Sequence, residues 1–338
     1  MKIIVPMAGR GSRLRPHSLT TPKPLISIAG APIVHQLVHE IAKVVEDPIT
    51  DIGFVIGDPA FFGDEIVTSL RELADDLGAT PHIFRQDEPL GTGHAIMCAE
   101  PLLKGPVVVA YADTLIRAKL TLDPDADAVI WVKKVNAPEA FGVVALNAEN
   151  QIIDLVEKPK EFVSDLAVIG IYYFKQIEHL KDALKKVVAK DLQRGEEYQI
   201  NHGILSLMEQ GAVFKPGAVD IWMDCGNPEV TLQTNTEMLE IKQKEGAILQ
   251  DPSAEISNCT IIPPCFIGEK AIIRNSTIGP GVSIGARTQI HNCQLTNCLI
   301  QNDSHLENLN LQKAMIGNQV HYKGNPTFVS LGDYSKLE

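Results

Sequence analysis

The sequence predicts an α/β protein in which a mixed sheet is followed by a short parallel β-helix. Three observations support this prediction. Strand and helix patterns alternate as far as Asp127, strand patterns then follow one another up to residue 174, and short aliphatic residues recur every five or six positions from about residue 250. Alternation favours parallel strands joined by helices, close strands favour antiparallel pairing, and a six-residue period is typical of a parallel β-helix.

The alternating part is assigned from its hydrophobic periods. Asp58 is expected to cap the second helix of this part, because aspartate is a favoured N-cap residue and a proline follows it. Asp113 comes directly after the last strand, and ligands of such sheets bind at the carboxyl ends of strands, so Asp113 is a candidate site residue. The predicted strands lie at residues 2–7, 52–56, 82–85 and 107–112, and the predicted helices at residues 32–45 and 61–77.

The next part consists of closely spaced strands, which leave no room for helical crossovers. This spacing indicates an antiparallel extension of the sheet. A long polar helix then leads out, so the first domain is predicted to span residues 1–245. The predicted strands lie at residues 128–135, 142–146, 152–156, 168–174 and 219–223, and the helices at residues 176–188, 200–210 and 228–244.

The repeat that follows predicts a β-helix domain at residues 246–325 and a C-terminal tail at residues 326–338. Glycine and asparagine recur between the aliphatic positions and permit the corners of each coil. The repeat is long enough for about four coils of three faces each. Four of the six cysteines lie within it, and we interpret them as small buried hydrophobic residues rather than as metal ligands.

The composition excludes several classes of protein. With 338 residues and a net charge of −12, the chain does not have the basic character of a general nucleic-acid binder. It contains no apolar run of membrane-spanning length and no signal-peptide pattern, so neither a membrane partner nor secretion is expected. No C-x-x-C pair is present. The prediction is a cytoplasmic protein with reduced thiols.

The loop after the first strand has the residues expected of a phosphate site. Glycines at positions 9 and 11 let backbone N–H groups approach an anion, while Arg13 and Lys23 supply positive charge. Leu14 stands where a dinucleotide-binding loop needs its third glycine, and the chain contains no P-loop string. The loop is therefore predicted to bind and act on a nucleoside triphosphate without either of these motifs.

The string from Gly9 to Pro24 resembles the sugar-1-phosphate nucleotidyltransferases, whose pattern is G-x-G-[TS]-R-L-x-P-[LH]-[TS]-x-x-x-P-K-P. Ser12 replaces the usual threonine and keeps its hydroxyl, and His17 replaces the usual leucine. The resemblance covers roughly residues 1–245, and it implies a Rossmann-like, GT-A-like catalytic domain to which this family commonly appends a left-handed β-helix. Further motifs of the family lie at residues 86–95, 112–113, 141–143, 157–159 and 222–228, the last with asparagine in place of threonine.

The resemblance implies transfer of a nucleotidyl group to a sugar 1-phosphate, with release of pyrophosphate and with Mg²⁺ as cofactor. Lys23 would neutralise charge at the α-phosphate, and Arg13 would hold the β- and γ-phosphates. Asp113 has an implied catalytic role and, with Asp224, would bind the metal. The other implied roles are nucleotide binding by Ala8, Gly9, Gly11, Ser12, Arg13, Gln86, Gly91 and Thr92, and sugar-phosphate binding by Gly142, Glu157 and Lys158.

The sequence leaves the substrates and two alternatives open. Gln86 can pair with a uracil or thymine edge, so dTTP or UTP is favoured, with GTP next. Glucose 1-phosphate is favoured over mannose or N-acetylhexosamine phosphates, and a homo-oligomer is expected. The first alternative is an additional acyltransferase activity in the β-helix, using His291 or His305. The second is a non-catalytic regulatory subunit, although such relatives tend to lose the catalytic lysine and aspartates that this chain keeps.

Overall fold

In the computed structural model, strand β1 (Lys2–Pro6) lies inside a large mixed sheet, where its three central residues are fully buried. This burial on both faces explains the unbroken aliphatic run that the sequence shows there. The structure describes residues 1–45, 47–118, 122–188 and 197–324.

Contacts divide the chain into two units. One comprises Met1–Ile26 and Pro32–Cys225, and the other comprises Ser27–Ala31 and Gly226–Glu338. The domain boundary that the sequence analysis puts at residue 245 stays a prediction. The tail predicted at residues 326–338 lies outside the described residues.

The predicted elements before the β-helix occur in the predicted order, with small shifts at their ends, and further short elements lie between them. The helices are α1 (Ile33–Val44), α2 (Asp64–Asp76), α3 (Thr92–Cys98), α4 (Ile177–Val188), α5 (Ile200–Glu209) and α6 (Pro228–Lys244). Besides β1, the strands are β2 (Ser27–Ile28), β3 (Ala31–Pro32), β4 (Asp51–Ile56), β5 (Thr80–Arg85), β6 (Val107–Ala110), β7 (Thr114–Arg117), β8 (Ala128–Lys134), β9 (Gly142–Leu146), β10 (Ile152–Glu157), β11 (Leu166–Phe174), β12 (Phe214–Ala218) and β13 (Ile221–Asp224).

The main sheet runs in the order β10-β9-β11-β6-β1-β4-β5, and β8 and β12 extend it from β11. Strands β6, β1, β4 and β5 pair in parallel, whereas β11 pairs antiparallel with β6, β8 and β9. The predicted mixed sheet, a parallel block with an antiparallel extension, is therefore confirmed. A separate two-stranded ribbon of β7 and β13 lies off this sheet.

The start of α2 differs from the prediction. Asp58 does not cap this helix, which begins at Asp64 after an extended Gly63. The Asp58 carboxylate instead accepts a hydrogen bond of 2.8 Å from the backbone N–H of Ala60. An aspartate stabilises a tight turn as readily as a helix start, so the sequence pattern did not distinguish the two.

The second unit contains a parallel β-helix of three sheets, which confirms the predicted repeat. Register partners on successive coils are sixteen or seventeen residues apart, as for Ile273, Ile290 and Leu306. Asparagines at one corner adopt left-handed backbone angles, and the Asn258 side chain donates to that of Asn275 at 2.7 Å. The strands are β14 (Glu255–Ser257), β15 (Thr260–Ile261), β16 (Cys265–Ile267), β17 (Ile272–Arg274), β18 (Thr277–Ile278), β19 (Val282–Ile284), β20 (Gln289–His291), β21 (Gln294–Thr296), β22 (Leu299–Ile300), β23 (His305–Glu307), β24 (Asn310–Gln312), β25 (Met315–Ile316) and β26 (His321–Lys323).

The cysteines of the β-helix pack as predicted. Cys265, Cys293 and Cys298 are buried in its aliphatic core, and Cys259 is half-buried against it.

Within the described residues, no helix combines the length and the apolar character that crossing a bilayer requires.

Candidate active site

A cavity of about 680 Å³ opens in the first unit at the carboxyl ends of several strands. Asp113 follows β6, Glu157 ends β10 and Asp224 ends β13, so three carboxylates from distant parts of the chain reach one cavity. Sheets of this kind bind ligands at such strand ends. Of the residues that the sequence singles out, the cavity is lined by Arg13, Thr92, Asp113, Gly142, Glu157, Lys158 and Asp224.

Lys23 is not among the lining residues, but from a buried position in the first unit it contacts Asp113, which is. It begins a short 3-10 turn, and its Nζ lies 2.9 Å from Asp113 Oδ2. Gly11 makes room for it, because a Cβ at position 11 would lie 2.8 Å from the Cβ of Lys23. Gly11 also has a φ of +57°, and its carbonyl accepts a 2.7 Å hydrogen bond from Ser18 Oγ. The glycine is thus required by both backbone conformation and packing.

The other loop residues that are predicted to bind phosphate precede Arg13 in the sequence. Ser12 begins a 3-10 turn that carries Arg13, whose side chain lines the cavity. Gly9 has open space around the position of its missing Cβ. Ala8, Gly9, Gly11 and Ser12 themselves are not among the lining residues, so the phosphate cradle that they are predicted to form stays a prediction.

Asp113 and Asp224 are held next to each other by the β7–β13 ribbon. Asp224 is the register partner of Thr114, and the N–H of Cys225 donates to the carbonyl of Asp113 at 3.1 Å. Two carboxylates at one ribbon end suit Mg²⁺, which takes one or two protein carboxylates and completes its octahedron with water and phosphate oxygens. The described residues contain no group of three or more acidic, histidine or cysteine side chains that would form an all-protein metal cage.

Gly142 and Glu157 are partners across β9 and β10. A Cβ at Gly142 would lie 2.8 Å from Glu157 Oε2, so the glycine leaves room for this carboxylate. Lys158 follows with a left-handed φ of +44°, and its N–H donates to the carbonyl of Phe141 at 3.0 Å. Lys158 Nζ lies 4.0 Å from Glu157 Oε1 with both side chains mostly exposed, a separation that makes a weak ion pair.

The segment at Gly91 and Thr92 is fixed by the residues that precede α5. The Thr92 hydroxyl donates to Gln199 Oε1 at 2.9 Å and accepts from the N–H of Ile200 at 3.0 Å. Gly91 has a φ of +104°, and a Cβ there would lie 2.7 Å from the carbonyl oxygen of Tyr198. The two segments therefore form one rigid side of the site.

Gln86 is buried, and its amide nitrogen is engaged within this region. Nε2 donates to the carbonyl of Gly91 at 3.0 Å and lies 3.1 Å from His94 Nδ1. This gives Gln86 a clear part in shaping the loop. Its predicted contact with a base edge stays a prediction.

Other cavity residues carried no decisive sequence signal. Trp222 donates from Nε1 to the Thr114 hydroxyl at 2.6 Å and packs edge-on against Phe141, with ring centroids 5.1 Å apart. Burial raises the pKa of Tyr111 far above its usual value, so this phenol stays protonated at neutral pH. Trp222 and Phe141 lie inside quoted motifs, but nothing in the sequence pointed to Tyr111, Tyr172, Asn201 or His202, which also line the cavity.

Comparison with known proteins shows which proteins this chain resembles. The family described as "Nucleotidyl transferase" matches residues 2–241. A protein named glucose-1-phosphate thymidylyltransferase from Streptomyces antibioticus is 29% identical over 367 aligned positions, covering 100% of this chain and 99% of the relative. The Bifunctional protein GlmU of Methanococcus maripaludis strain C7 is 32% identical over 279 positions, covering 81% of this chain and 62% of that protein.

The fold is also similar to that of a solved structure. A crystal structure from Bacillus anthracis, described as a glucose-1-phosphate thymidylyltransferase in complex with a sucrose, superposes with a TM-score of 0.58 at 26% identity. The similarity covers 70% of this chain and 94% of the other.

Proposed function

The chain belongs to the nucleotidyl transferase family, and on this premise we propose that it makes a nucleoside diphosphate sugar and pyrophosphate from a nucleoside triphosphate and a sugar 1-phosphate. The observation that carries this proposal is the cavity lined by Asp113, Asp224 and the Glu157–Lys158 segment, with Lys23 paired to Asp113. For the substrates we propose dTTP, with UTP second and GTP next, and glucose 1-phosphate. The end-to-end match to a glucose-1-phosphate thymidylyltransferase supports this choice.

In the proposed reaction, a phosphate oxygen of the sugar 1-phosphate attacks the α-phosphorus, and pyrophosphate leaves. The attacking oxygen is already anionic, so no general base is needed. Catalysis then consists of positioning two polyanions and stabilising the charge that develops between them. A site that brings cations, carboxylates and glycines together meets this requirement.

Lys23 is proposed to stabilise charge on the α-phosphate. Its ammonium is buried, and a charge held in a low-dielectric position interacts more strongly with a phosphate than an exposed one. Arg13 is proposed to bind the β- and γ-phosphates through its planar guanidinium. Asp113 and Asp224 would hold Mg²⁺, which would supply charge neutralisation and alignment of the phosphates.

On the other side of the cavity, Lys158 is proposed to bind the phosphate of the sugar. Its ammonium is exposed and only weakly paired with Glu157, so an incoming phosphate can compete for it. The Glu157 carboxylate is proposed to accept hydrogen bonds from sugar hydroxyls, and Gly142 leaves the space beside it open.

Location and assembly are proposals with less support. The six cysteines are all free thiols, which fits a reducing cytoplasm. We propose a homo-oligomer, which light scattering of the purified protein would test. His291 and His305, on which an acyltransferase activity would depend, lie on one face of the β-helix with ring centroids 5.5 Å apart. That activity stays a prediction.

The experiment is a pyrophosphate-release assay with each common nucleoside triphosphate against a panel of sugar 1-phosphates, with Mg²⁺ and with EDTA. We expect the highest kcat/KM with dTTP and glucose 1-phosphate and loss of turnover in EDTA. Absence of turnover with every pair would reject the transferase. Turnover that is higher with UTP and an N-acetylhexosamine 1-phosphate would reject only the substrate assignment.

A further inference from the structure

The Ser27–Ala31 hairpin belongs to the second unit, although it follows the catalytic lysine closely in sequence. Strands β2 and β3 form it, and Ala29 and Gly30 at its turn have left-handed φ values of +47° and +91°. This is the backbone that a tight two-residue hairpin requires. Three residues, 24–26, separate the hairpin from Lys23.

Three side chains of the second unit hold the backbone of this hairpin. The N–H of Ala29 donates to Asn235 Oδ1 at 3.0 Å, and the carbonyl of Ala29 accepts from Lys242 Nζ at 2.8 Å. The carbonyl of Ser27 accepts from Gln301 Nε2 at 3.0 Å. The backbone groups of such a turn can form hydrogen bonds with water. Here three side chains bind them instead, which indicates that the position of the hairpin is fixed.

The attachment is also rigid on the side of the second unit. Asn235 is fully buried; its Oδ1 accepts a second hydrogen bond from Ser283 Oγ at 2.7 Å, and its Nδ2 donates to the carbonyl of Gly281 at 3.3 Å. The Phe266 ring packs against Gly30, where a Cβ would overlap it. Helix α6 and the β-helix therefore grip the hairpin together.

The link from the hairpin back to Lys23 is short and internally bonded. The N–H of Leu25 donates to the carbonyl of Pro22 at 2.8 Å, and the N–H of Ile26 donates to that of Lys23 at 3.1 Å. The N–H of Ile33 donates to the carbonyl of Ile26 at 3.2 Å, and this bond joins the two chain segments that flank the hairpin. Because this link is short and hydrogen-bonded, a displacement of the hairpin would also displace the backbone of Lys23.

We propose that Asn235, Lys242 and Gln301 are positioning residues for the nucleotidyl transfer, acting on Lys23 through the Ser27–Ala31 hairpin. The proposal rests on the proposed function, because it takes Lys23 as the residue that stabilises the α-phosphate. It gives the C-terminal unit a part in the chemistry without any residue of that unit touching the substrates. A small displacement of a catalytic group can cost up to about 100-fold in rate.

The first test compares two buried substitutions in the same β-helix. Gln301→Met keeps the side-chain volume and removes the donor to Ser27. Ser276→Ala is the control: it removes the hydrogen bonds of a buried hydroxyl, to the carbonyl of Arg274 at 2.7 Å and from the N–H of Cys293 at 3.0 Å, which involve neither the hairpin nor Gln301. We expect Gln301→Met to lower kcat about tenfold with both KM values nearly unchanged, and Ser276→Ala to leave kcat unchanged. Equal kcat values in the two variants would overturn the proposal.

Rescue by a conservative substitution and the effect of a double variant on kcat distinguish a positioning role from a general loss of stability. Lys242→Met should lower kcat, and Lys242→Arg, which keeps a donor, should restore most of it. In the Lys23→Ala background, Gln301→Met should cause no further loss, because the residue on which it acts is gone. The same fold loss with and without Lys23→Ala would overturn the proposal.

Hydrogen exchange supplies a readout that does not depend on turnover. Gln301→Met should speed exchange of the backbone amides at residues 24–33, whereas Ser276→Ala should not. If these amides were as well protected from exchange in Gln301→Met as in the wild type, the proposal that Gln301 holds the hairpin would be rejected. If the wild-type protein were inactive on every substrate pair, the proposed function would fail. Faster exchange in Gln301→Met would still show that Gln301 holds the hairpin, so the two failures can be told apart.

Discussion

Lys23 and Asp113 form an unequal ion pair: Nζ lies 2.9 Å from Oδ2, but the lysine side chain is 8% exposed and the aspartate side chain 45%. A buried ammonium needs its counter-charge more than a half-exposed carboxylate does. Asp113 can therefore balance Lys23 and still meet a ligand in the cavity. The pair joins the loop that carries Lys23 to the segment between β6 and β7 that carries Asp113.

Removing either partner should have different effects on stability and similar effects on rate. Asp113→Asn leaves the buried ammonium without its carboxylate, so we expect the free energy of unfolding to fall by about 1–2 kcal/mol, less than for a fully buried pair. Lys23→Met replaces the charge with an apolar chain of similar length and should cost about 0–1 kcal/mol. Both should lower kcat by roughly 10²–10³. Urea unfolding and pyrophosphate release measure these effects, and equal destabilisation by the two substitutions would contradict the argument from burial.

Gly142→Ala should weaken binding of the sugar substrate selectively. The added Cβ would lie 2.8 Å from Glu157 Oε2 and would push this carboxylate from its position. Because the displaced group is the end of a flexible side chain, the fold should remain stable. We expect KM for the sugar 1-phosphate to rise about tenfold, equal to about 1.4 kcal/mol, with KM for the nucleoside triphosphate unchanged. Gly63→Ala is the matched control outside the site, because φ there is −70° and nothing lies within 4 Å of an added Cβ. A rise of both KM values would contradict the assignment.

The sequence predicted those parts of the fold that local pattern controls. The parallel strands, the longer helices and the β-helix follow from local sequence pattern, and α6 begins and ends where it is predicted to. Short elements were missed, because two to five residues give no reliable period: β7, β12 and the Ser27–Ala31 hairpin are examples. The pairing of β7 with β13 depends on residues more than a hundred positions apart, which one sequence cannot reveal.

In the site, too, local motifs could be predicted from the sequence, whereas contacts that depend on how the chain folds could not. Motifs predicted Asp113, Asp224, Glu157 and Lys158, and the structure places all four at one cavity. The internal hydrogen bonds of Gln86 could not be foreseen, because they depend on how its loop folds back on Gly91. Roles for individual residues remain predictions for the assays described here.

The three buried thiols of the β-helix, Cys265, Cys293 and Cys298, should resist modification until the protein unfolds. Burial raises the pKa of Cys265 to about 11, and it also raises the pKa values of Cys293 and Cys298. A raised pKa means that less thiolate is present at any given pH, so iodoacetamide should react slowly at pH 8 and faster as the pH rises towards 11. Mass spectrometry of tryptic peptides should show these sites labelled only after unfolding in guanidinium. Rapid labelling in the native state would contradict the packed core.

The Trp222–Thr114 hydrogen bond should control how well the carboxylates bind metal. Trp222 Nε1 donates to the hydroxyl of Thr114, which is the register partner of Asp224 and follows Asp113 in sequence. Trp222→Phe keeps a ring against Phe141 but leaves the buried hydroxyl without this donor, at a cost of about 1–3 kcal/mol. We expect the Mg²⁺ concentration for half-maximal activity to rise about 3- to 10-fold.

Thr114→Val provides the matched variant, because it removes the other partner of the same bond. If the bond itself orients the carboxylates, the double variant should require no more Mg²⁺ than the more affected single variant, since the two changes remove one interaction. Titration of activity with Mg²⁺, at saturating substrates, measures this in all four proteins. Fully additive effects would mean that each side chain acts on the metal site independently, and the hydrogen bond would then have no orienting role.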